Sequence, residues 1–127
     1  MLDASVLIAL LDQNDANRPV ARAAVAKSQR DHDLVIPAVA FSESLVAQYR
    51  RSHREGQLAE ARLMALGGVV DVNRDIASRA AQLRATRKIK LPDALILATA
   101  MQLPAQQILT VDKQWQGVDS RVVYLQP

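Results

Sequence analysis

Short apolar segments rich in β-branched residues alternate along this chain with longer segments of helical periodicity. The strand candidates are the opening residues up to Asp3, then 34–36, 69–72, 108–110 and 122–125. The helical segments are 5–12, 19–30, 38–54, 57–66, 75–87 and 92–103, and Pro104 is expected to stop the last of them. Such an alternation predicts an α/β fold built on a parallel sheet.

Length and composition indicate one domain that covers residues 1–127, of which 50% are hydrophobic. No segment approaches the roughly 20 consecutive apolar residues of a membrane helix. The chain contains no cysteine, which excludes a disulfide framework, thiolate catalysis and Cys-based zinc sites. It also opens without the basic start and cleavage site of a secretory signal. We therefore expect a cytoplasmic protein that is not associated with a membrane.

Two acidic residues stand directly after strand candidates at opposite ends of the chain. Asp3 follows the opening strand, and Asp112 follows the strand at 108–110. Open parallel sheets gather their ligands at the carboxyl ends of strands, so these two carboxylates are candidates for a shared site. Each also has a local explanation, because Asp3 can cap a helix and Asp112 can stabilise a turn.

A third acid, Asp93, lies in the first turn of a helix whose following residues are almost all apolar, from Ala94 to Met101. Such a helix should be buried on most sides. The exposed N–H groups and the dipole of the helix can account for a carboxylate at this position. A carboxylate at the start of a buried helix nevertheless needs a hydrogen-bond donor or a positive charge beside it.

The fourth acid, Glu43, lies in the middle of a predicted helix. It shares an arc with Val39, Val46 and Ala47, where the spacing predicts the core-facing stripe. One interpretation is a contact with Arg50 at the edge of that stripe. The other is a carboxylate that points into the same pocket as the remaining three acids.

Electrostatics favours a cation if the four acids do cluster. Two like charges ~4 Å apart repel by about 4 kcal/mol at an effective dielectric near 20, and a typical domain has only roughly 5–15 kcal/mol of stability. Cations or raised pKa values would have to relieve this repulsion. Oxygen ligands without cysteine or a nearby histidine select Mg²⁺ or Mn²⁺ rather than zinc, and carboxylate-held Mg²⁺ is typical of phosphodiester hydrolysis.

Four segments give the chain a resemblance to PIN-domain nucleases, particularly the VapC-like toxins of bacterial toxin–antitoxin pairs. The segments are Leu2–Ile8, Phe41–Leu45, Leu91–Ala100 and Leu109–Lys113. The resemblance implies a three-layer α/β/α sandwich with a central, mainly parallel sheet of four to five short strands. It also implies a Mg²⁺- or Mn²⁺-dependent ribonuclease and a homodimer that a cognate antitoxin protein silences. The segment before Asp3 is shorter than usual for the family, which predicts either a truncated first strand, paired through Met1 and Leu2 alone, or a true start upstream of Met1.

The resemblance also assigns candidate site residues. Asp3, Glu43, Asp93 and Asp112 match the acidic quartet of the family, Ser5 and Thr110 match its hydroxyl residues, and Trp115 stands at an aromatic position. The resulting hypothesis is RNA hydrolysis in which Asp3, Asp93 and Asp112 ligate one metal ion. Glu43 would then hold a second ion or orient the attacking water.

The chain carries a net charge of +3, which favours association with polyanions. Basic candidates for contacts with the RNA backbone are Arg50, Arg84, Arg87, Lys88 and Lys90. Solvated helical faces explain the same residues without RNA.

Two rival functions remain open at the level of the sequence. An aspartyl phosphatase also uses Mg²⁺ on a parallel α/β sheet, but it would need an acid two residues after Asp3, where this chain has Ser5. The second rival is a catalytically inactive RNA-binding or scaffold module of the same fold, in which the acids only cap helices and form turns.

Overall fold

The computed structural model describes residues 1–103 and 107–127. In this part of the chain, a pair of α-helices precedes each of the first three β-strands, and a fourth strand follows the third. The elements are α1 (Ala4–Leu11), α2 (Arg18–Asp31), β1 (Val35–Pro37), α3 (Ala38–Arg51), α4 (His53–Leu66), β2 (Gly68–Val70), α5 (Arg74–Thr86), α6 (Leu91–Gln102), β3 (Ile108–Thr110) and β4 (Val122–Tyr124). A 3₁₀ turn, Lys113–Trp115, lies between the last two strands. Pro104, predicted to stop the last helix, lies outside the described residues.

The opening residues join two pairs of parallel strands into one sheet. β1 pairs with β2, and β3 pairs with β4. Between the pairs, the Leu2 N–H donates to the Val35 carbonyl (3.1 Å), the Leu109 N–H to the Met1 carbonyl (2.9 Å), and the Asp3 N–H to the Leu109 carbonyl (3.2 Å). The spatial order is therefore β2, β1, residues 1–3, β3 and β4. The predicted first strand is reduced to a single parallel bridge between Leu2 and Leu109, and α1 begins at Ala4.

The buried faces of the helices agree with the sequence pattern for α6 and differ from it for α3. α6 is buried at Ala94 and from Ile96 to Ala100, as predicted. In α3 the buried residues are Ala40, Ser44 and Leu45. The predicted core-facing stripe of Val39, Glu43, Val46 and Ala47 is therefore wrong, and Val46 is 46% exposed. The reason is that α3 packs against both α1 and α4, and these neighbours decide which arc is covered.

The junction between α3 and α4 also differs from the prediction. The helix predicted over 38–54 ends at Arg51, and α4 begins immediately after Ser52. The Ser52 hydroxyl accepts a hydrogen bond from the Glu55 N–H (3.0 Å) and thereby caps the new helix. Two helices are present as predicted, but the cap places the start of the second at His53 instead of residue 57.

The two helices approach each other closely at Gly56. This glycine is buried in the first half of α4, and a Cβ placed on it would overlap the ring of Tyr49 in α3. A glycine is therefore needed here for close packing rather than for an unusual backbone angle.

None of the helices in the described part of the chain is long and apolar enough to cross a membrane.

Candidate active site

Asp3 lies between the central segment of the sheet and α1, and its side chain is 2% exposed. Its Oδ1 atom accepts hydrogen bonds from the Val6 N–H (3.1 Å) and from the Ser5 hydroxyl (2.7 Å). The carboxylate therefore caps α1, as its local sequence predicts. The cap fixes the carboxylate at the end of the sheet without excluding a further role.

Hydroxyl groups link this first acid to the last part of the chain. Ser5 Oγ lies 3.2 Å from Thr110 Oγ1 and accepts a hydrogen bond from the Val111 N–H (3.0 Å). Thr110 Oγ1 in turn accepts from the Asp112 N–H (3.0 Å). The predicted supporting hydroxyls are thus brought together, and they tie α1 to the segment that carries Asp112.

Asp112 follows β3 and caps the 3₁₀ turn, since its Oδ1 accepts a hydrogen bond from the Gln114 N–H (2.9 Å). The turn ends with Trp115, whose side chain is 4% exposed. The buried indole anchors the turn against the domain. Asp112 therefore has a defined backbone position beside Asp3.

The four predicted acids line one pocket of about 260 Å³. Asp3 and Asp112 come from the ends of neighbouring strands, Asp93 from the first turn of α6, and Glu43 from the middle of α3. The other lining residues are Ala4, Ser5, Ile8, Lys90, Pro92, Ile96, Gln114 and Trp115. We call this cavity the acid pocket.

The acids in the pocket influence one another. Burial raises the pKa of Asp3, hydrogen bonds from Thr110, Ser5 and the Val6 N–H oppose this, and the charge of Asp112 raises it further. For Asp3 the net pKa shift is upward.

Glu43 and Asp93 show the same direction of shift. Desolvation raises the pKa of Glu43 although much of its side chain is exposed, and the charges of Asp93 and Asp3 add to the increase. Burial and then the charge of Asp112 raise the pKa of Asp93, while Lys90 opposes them. Full ionisation of the pocket is therefore unfavourable unless positive charge enters it.

The donor chemistry of the acid pocket fits a hard divalent cation, because carboxylate oxygens dominate it and their charges repel one another. Within residues 1–103 and 107–127, no three His, Cys, Asp or Glu side chains already stand in an arrangement that could hold a metal ion. The pocket collects the ligands, and their side chains would have to converge further to bind an ion.

The basic candidates are distributed differently from the acids. Lys90 lines the acid pocket, whereas Arg84 is exposed on α5. The Arg87 guanidinium donates to the Val118 carbonyl (3.2 Å), which gives it a structural contact. Lys88 is also exposed and borders a neighbouring cavity.

Arg50 faces away from the acid pocket, in a groove on α3 and α4 that Tyr49 and Glu60 also line. In the described part of the chain, one ion pair is present, between Arg121 and Asp119 (3.0 Å). The contact between Glu43 and Arg50 that the sequence left open is therefore not formed.

Gln114 lines the acid pocket but is not among the predicted site residues. Its position two residues after Asp112 is the one signal that could have indicated it, because Asp side chains commonly accept hydrogen bonds from the backbone two residues further on. Its proximity to α6 depends on the fold.

An acid pocket at the carboxyl ends of a parallel sheet, flanked by helices, defines the class of domain. The model of the PIN domain family matches residues 1–120, and the chain belongs to this family. The predicted PIN-like α/β fold is thereby confirmed.

Solved structures show the same similarity over almost the full length. A toxin–antitoxin complex from Klebsiella pneumoniae contains a chain with 29% identity and a TM-score of 0.73, and the match covers 96% of this chain and 93% of that one. The sarcin-ricin loop cleaving toxin VapC20 of Mycobacterium tuberculosis shares the fold, with a TM-score of 0.78, 21% identity and coverage of 99% and 98%. No curated protein matches the sequence significantly.

Proposed function

We propose that this protein is a ribonuclease dependent on Mg²⁺ or Mn²⁺, and that it is the toxin of a toxin–antitoxin pair. The observation that carries the proposal is the acid pocket, a single cavity lined by four carboxylates from distant parts of the chain. Three of them have raised pKa values, and the charges of neighbouring acids contribute to each increase. Such a concentration of negative charge favours a bound cation.

In this proposal Asp3, Asp93 and Asp112 hold the metal ion, and Glu43 holds a second ion or orients the attacking water. A divalent ion at these carboxylates would lower the pKa of a water molecule and offset charge on the scissile phosphate. The hydroxyls of Ser5 and Thr110 hold Asp3 and the Asp112 segment in place through their hydrogen bonds.

The polar surroundings suit the remaining tasks of hydrolysis. The raised pKa of Glu43 makes its carboxylate better suited to accept a proton from water near neutral pH. Lys90 places a positive charge at the wall of the pocket, where it can contact an RNA phosphate. Cleavage is expected to leave a 5′-phosphate and a 3′-hydroxyl.

Similarity to the chain in a toxin–antitoxin complex supports the biological role and a cognate antitoxin as partner. The fold of VapC20, named as a toxin that cleaves an RNA loop, supports RNA as the substrate. A homodimer and a cytoplasmic location belong to the same proposal.

The test is 5′-end mapping of cellular RNA after brief expression of the wild-type chain and of Asp93→Asn. Purified protein is assayed on the mapped RNA with Mg²⁺, with Mn²⁺ and with a chelator. We expect new 5′-phosphate ends that require both Asp93 and the metal ion.

The matched control is Asp71→Asn, which removes an exposed carboxylate from a loop outside the acid pocket. It should cleave like the wild type. If the wild type, Asp93→Asn and Asp71→Asn give the same RNA ends while all three are folded, the chain is an inactive RNA-binding or scaffold module instead.

A further inference from the structure

A second cavity, of about 170 Å³, adjoins the acid pocket. Its lining residues are Lys88, Ile89, Lys90, Asp93, Gln114, Trp115 and Val118. Of these, Lys90, Asp93, Gln114 and Trp115 also line the acid pocket. The two cavities therefore share a wall, and we call the second one the side pocket.

Hydrogen bonds fix the two sides of the side pocket. The Arg87 guanidinium donates to the Val118 carbonyl (3.2 Å), which holds the linker between α5 and α6 against the segment after the 3₁₀ turn. On the other side, the Gln114 N–H donates to Asp112 (2.9 Å). This hydrogen bond fixes the position of the side-pocket residue Gln114 relative to the Asp112 carboxylate of the acid pocket.

The side pocket has an apolar interior, two lysines at its rim and the Asp93 carboxylate on the wall that it shares with the acid pocket. Ile89 and Val118 are half-buried, and the buried Trp115 completes the apolar part, whereas Lys88 and Lys90 are exposed. Its volume lies below the roughly 300–1,000 Å³ of sites for drug-sized ligands. The cavity therefore suits one small group that has apolar faces and belongs to a negatively charged chain.

On the basis of the proposed ribonuclease function, we propose that the side pocket takes the nucleobase next to the scissile phosphate. Lys88 and Lys90 contact the phosphates on either side of that nucleotide. The Gln114 amide, which carries both donors and an acceptor, contacts the edge of the base. The side pocket then fixes which phosphodiester bond enters the acid pocket, so it determines the position of the cut.

The experiment uses a synthetic RNA that spans the cut mapped for the wild-type chain, together with versions that lack one base at each position around it. In the wild type, removal of one particular base beside the cut should lower kcat/KM on the order of tenfold, as for loss of one bound base. Bases further away should matter less.

Two variants then connect this effect to the side pocket. Val118→Phe fills the cavity and should lower kcat/KM on intact RNA by a similar factor. On RNA that also lacks the base, Val118→Phe should cause little further loss of kcat/KM, because the two changes remove the same contact. Lys88→Ala changes an exposed residue outside the acid pocket, and it should raise KM and reduce the salt dependence while kcat is kept. Lys27→Ala, an exposed lysine on α2, is the control for loss of charge and should leave both parameters unchanged.

The outcomes separate the two proposals. If the wild type cleaves RNA but no single neighbouring base matters, or Lys88→Ala behaves like Lys27→Ala, the side pocket is not a base subsite and the ribonuclease proposal stands. If Val118→Phe and removal of the base lower kcat/KM independently of each other, the base does not bind in the side pocket. If the wild type does not cleave the RNA at all, both proposals fail.

Discussion

At the scale of single residues, Asp3 combines a structural contact with a place in the acid pocket. The same carboxylate oxygen caps α1 and accepts a hydrogen bond from Ser5. The local explanation and the functional one are therefore compatible. Substitutions at Asp3 will change both the stability of the domain and the charge of the pocket, so Asp93 is the cleaner position for a test of activity.

The raised pKa values of Asp3, Glu43 and Asp93 predict a particular pH dependence of stability. A carboxyl group whose pKa is higher in the folded than in the unfolded chain contributes stability that is fully present below the unfolded pKa, about 4. That contribution is lost as the pH rises through the folded pKa. Without metal ions, the free energy of unfolding contributed by these groups should therefore fall as the pH rises from about 4 through the raised values.

Urea unfolding in a chelator at a series of pH values measures this dependence. Asp3→Asn removes one of the three groups and should make the decrease with pH shallower than in the wild type. Asp71→Asn, at an exposed position, should leave the slope unchanged. Equal slopes for the wild type and Asp3→Asn would contradict the prediction.

The residues of the acid pocket differ in how far the sequence could predict them. Asp3 and Asp112 follow apolar strands, and parallel strands end at one edge of a sheet, so their meeting is predictable. Asp93 is a candidate because a carboxylate at the start of a buried helix needs a partner. Glu43 is a candidate through the family resemblance and through a predicted core-facing stripe, and the structure contradicts that stripe. Gln114 and the position of Lys90 at the wall depend on how the α5–α6 linker passes the 3₁₀ turn, which no local pattern specifies.

At the scale of elements, the α3–α4 pair shows how a short signal can be hidden in a long pattern. Ser52 and Glu55 have the spacing of a helix-capping sequence, but the helical periodicity on both sides obscures it. The buried arc of α3 was mispredicted for a different reason. It depends on the packing of α1 and α4, and several apolar residues on the other arc, including Val46, remain exposed.

Gly56→Ala tests the close approach of these two helices. Alanine normally stabilises a helix interior by about 1 kcal/mol relative to glycine. Here the new Cβ would overlap the Tyr49 ring, and the resulting strain is expected to cost about 1–3 kcal/mol. Urea unfolding should therefore show a net loss of stability.

Two further variants control this prediction. Gly68→Ala adds a Cβ that meets no atom within 4 Å and should lack the steric penalty. Combined with Tyr49→Ser, Gly56→Ala should become neutral or stabilising, because the ring is absent. A stabilising effect of Gly56→Ala in the wild-type background would show that the helices are further apart than described.

At the scale of the whole molecule, residues 1–3 hold the two halves of the sheet together. Their backbone bonds reach Val35 in β1 and Leu109 in β3. The sequence predicted a strand here and a parallel sheet, and the structure has both in reduced form. The order of the strands could not be derived from local patterns, because it depends on pairing between residues far apart in the chain.

Leu2→Ala tests the importance of this junction. Leu2 is 0% exposed, and truncation of a buried leucine costs about 2–5 kcal/mol. Because total stability is typically roughly 5–15 kcal/mol, urea unfolding should show a large decrease for the whole domain. Leu58→Ala, at a leucine that is 48% exposed on α4, should cost far less. Similar losses for the two variants would argue against a central place for Leu2.

The pairing of Leu2 with Leu109 also determines when the sheet can form during translation. The ribosome makes residues 1–3 more than a hundred residues before their partner in β3. At about 5–20 residues per second, roughly 5–20 s pass between the synthesis of residues 1–3 and that of β3. Asp3 and Asp112 therefore come together only after β3 has been made. A chain that is still being translated, or one cut short before β3, therefore lacks the complete acid pocket.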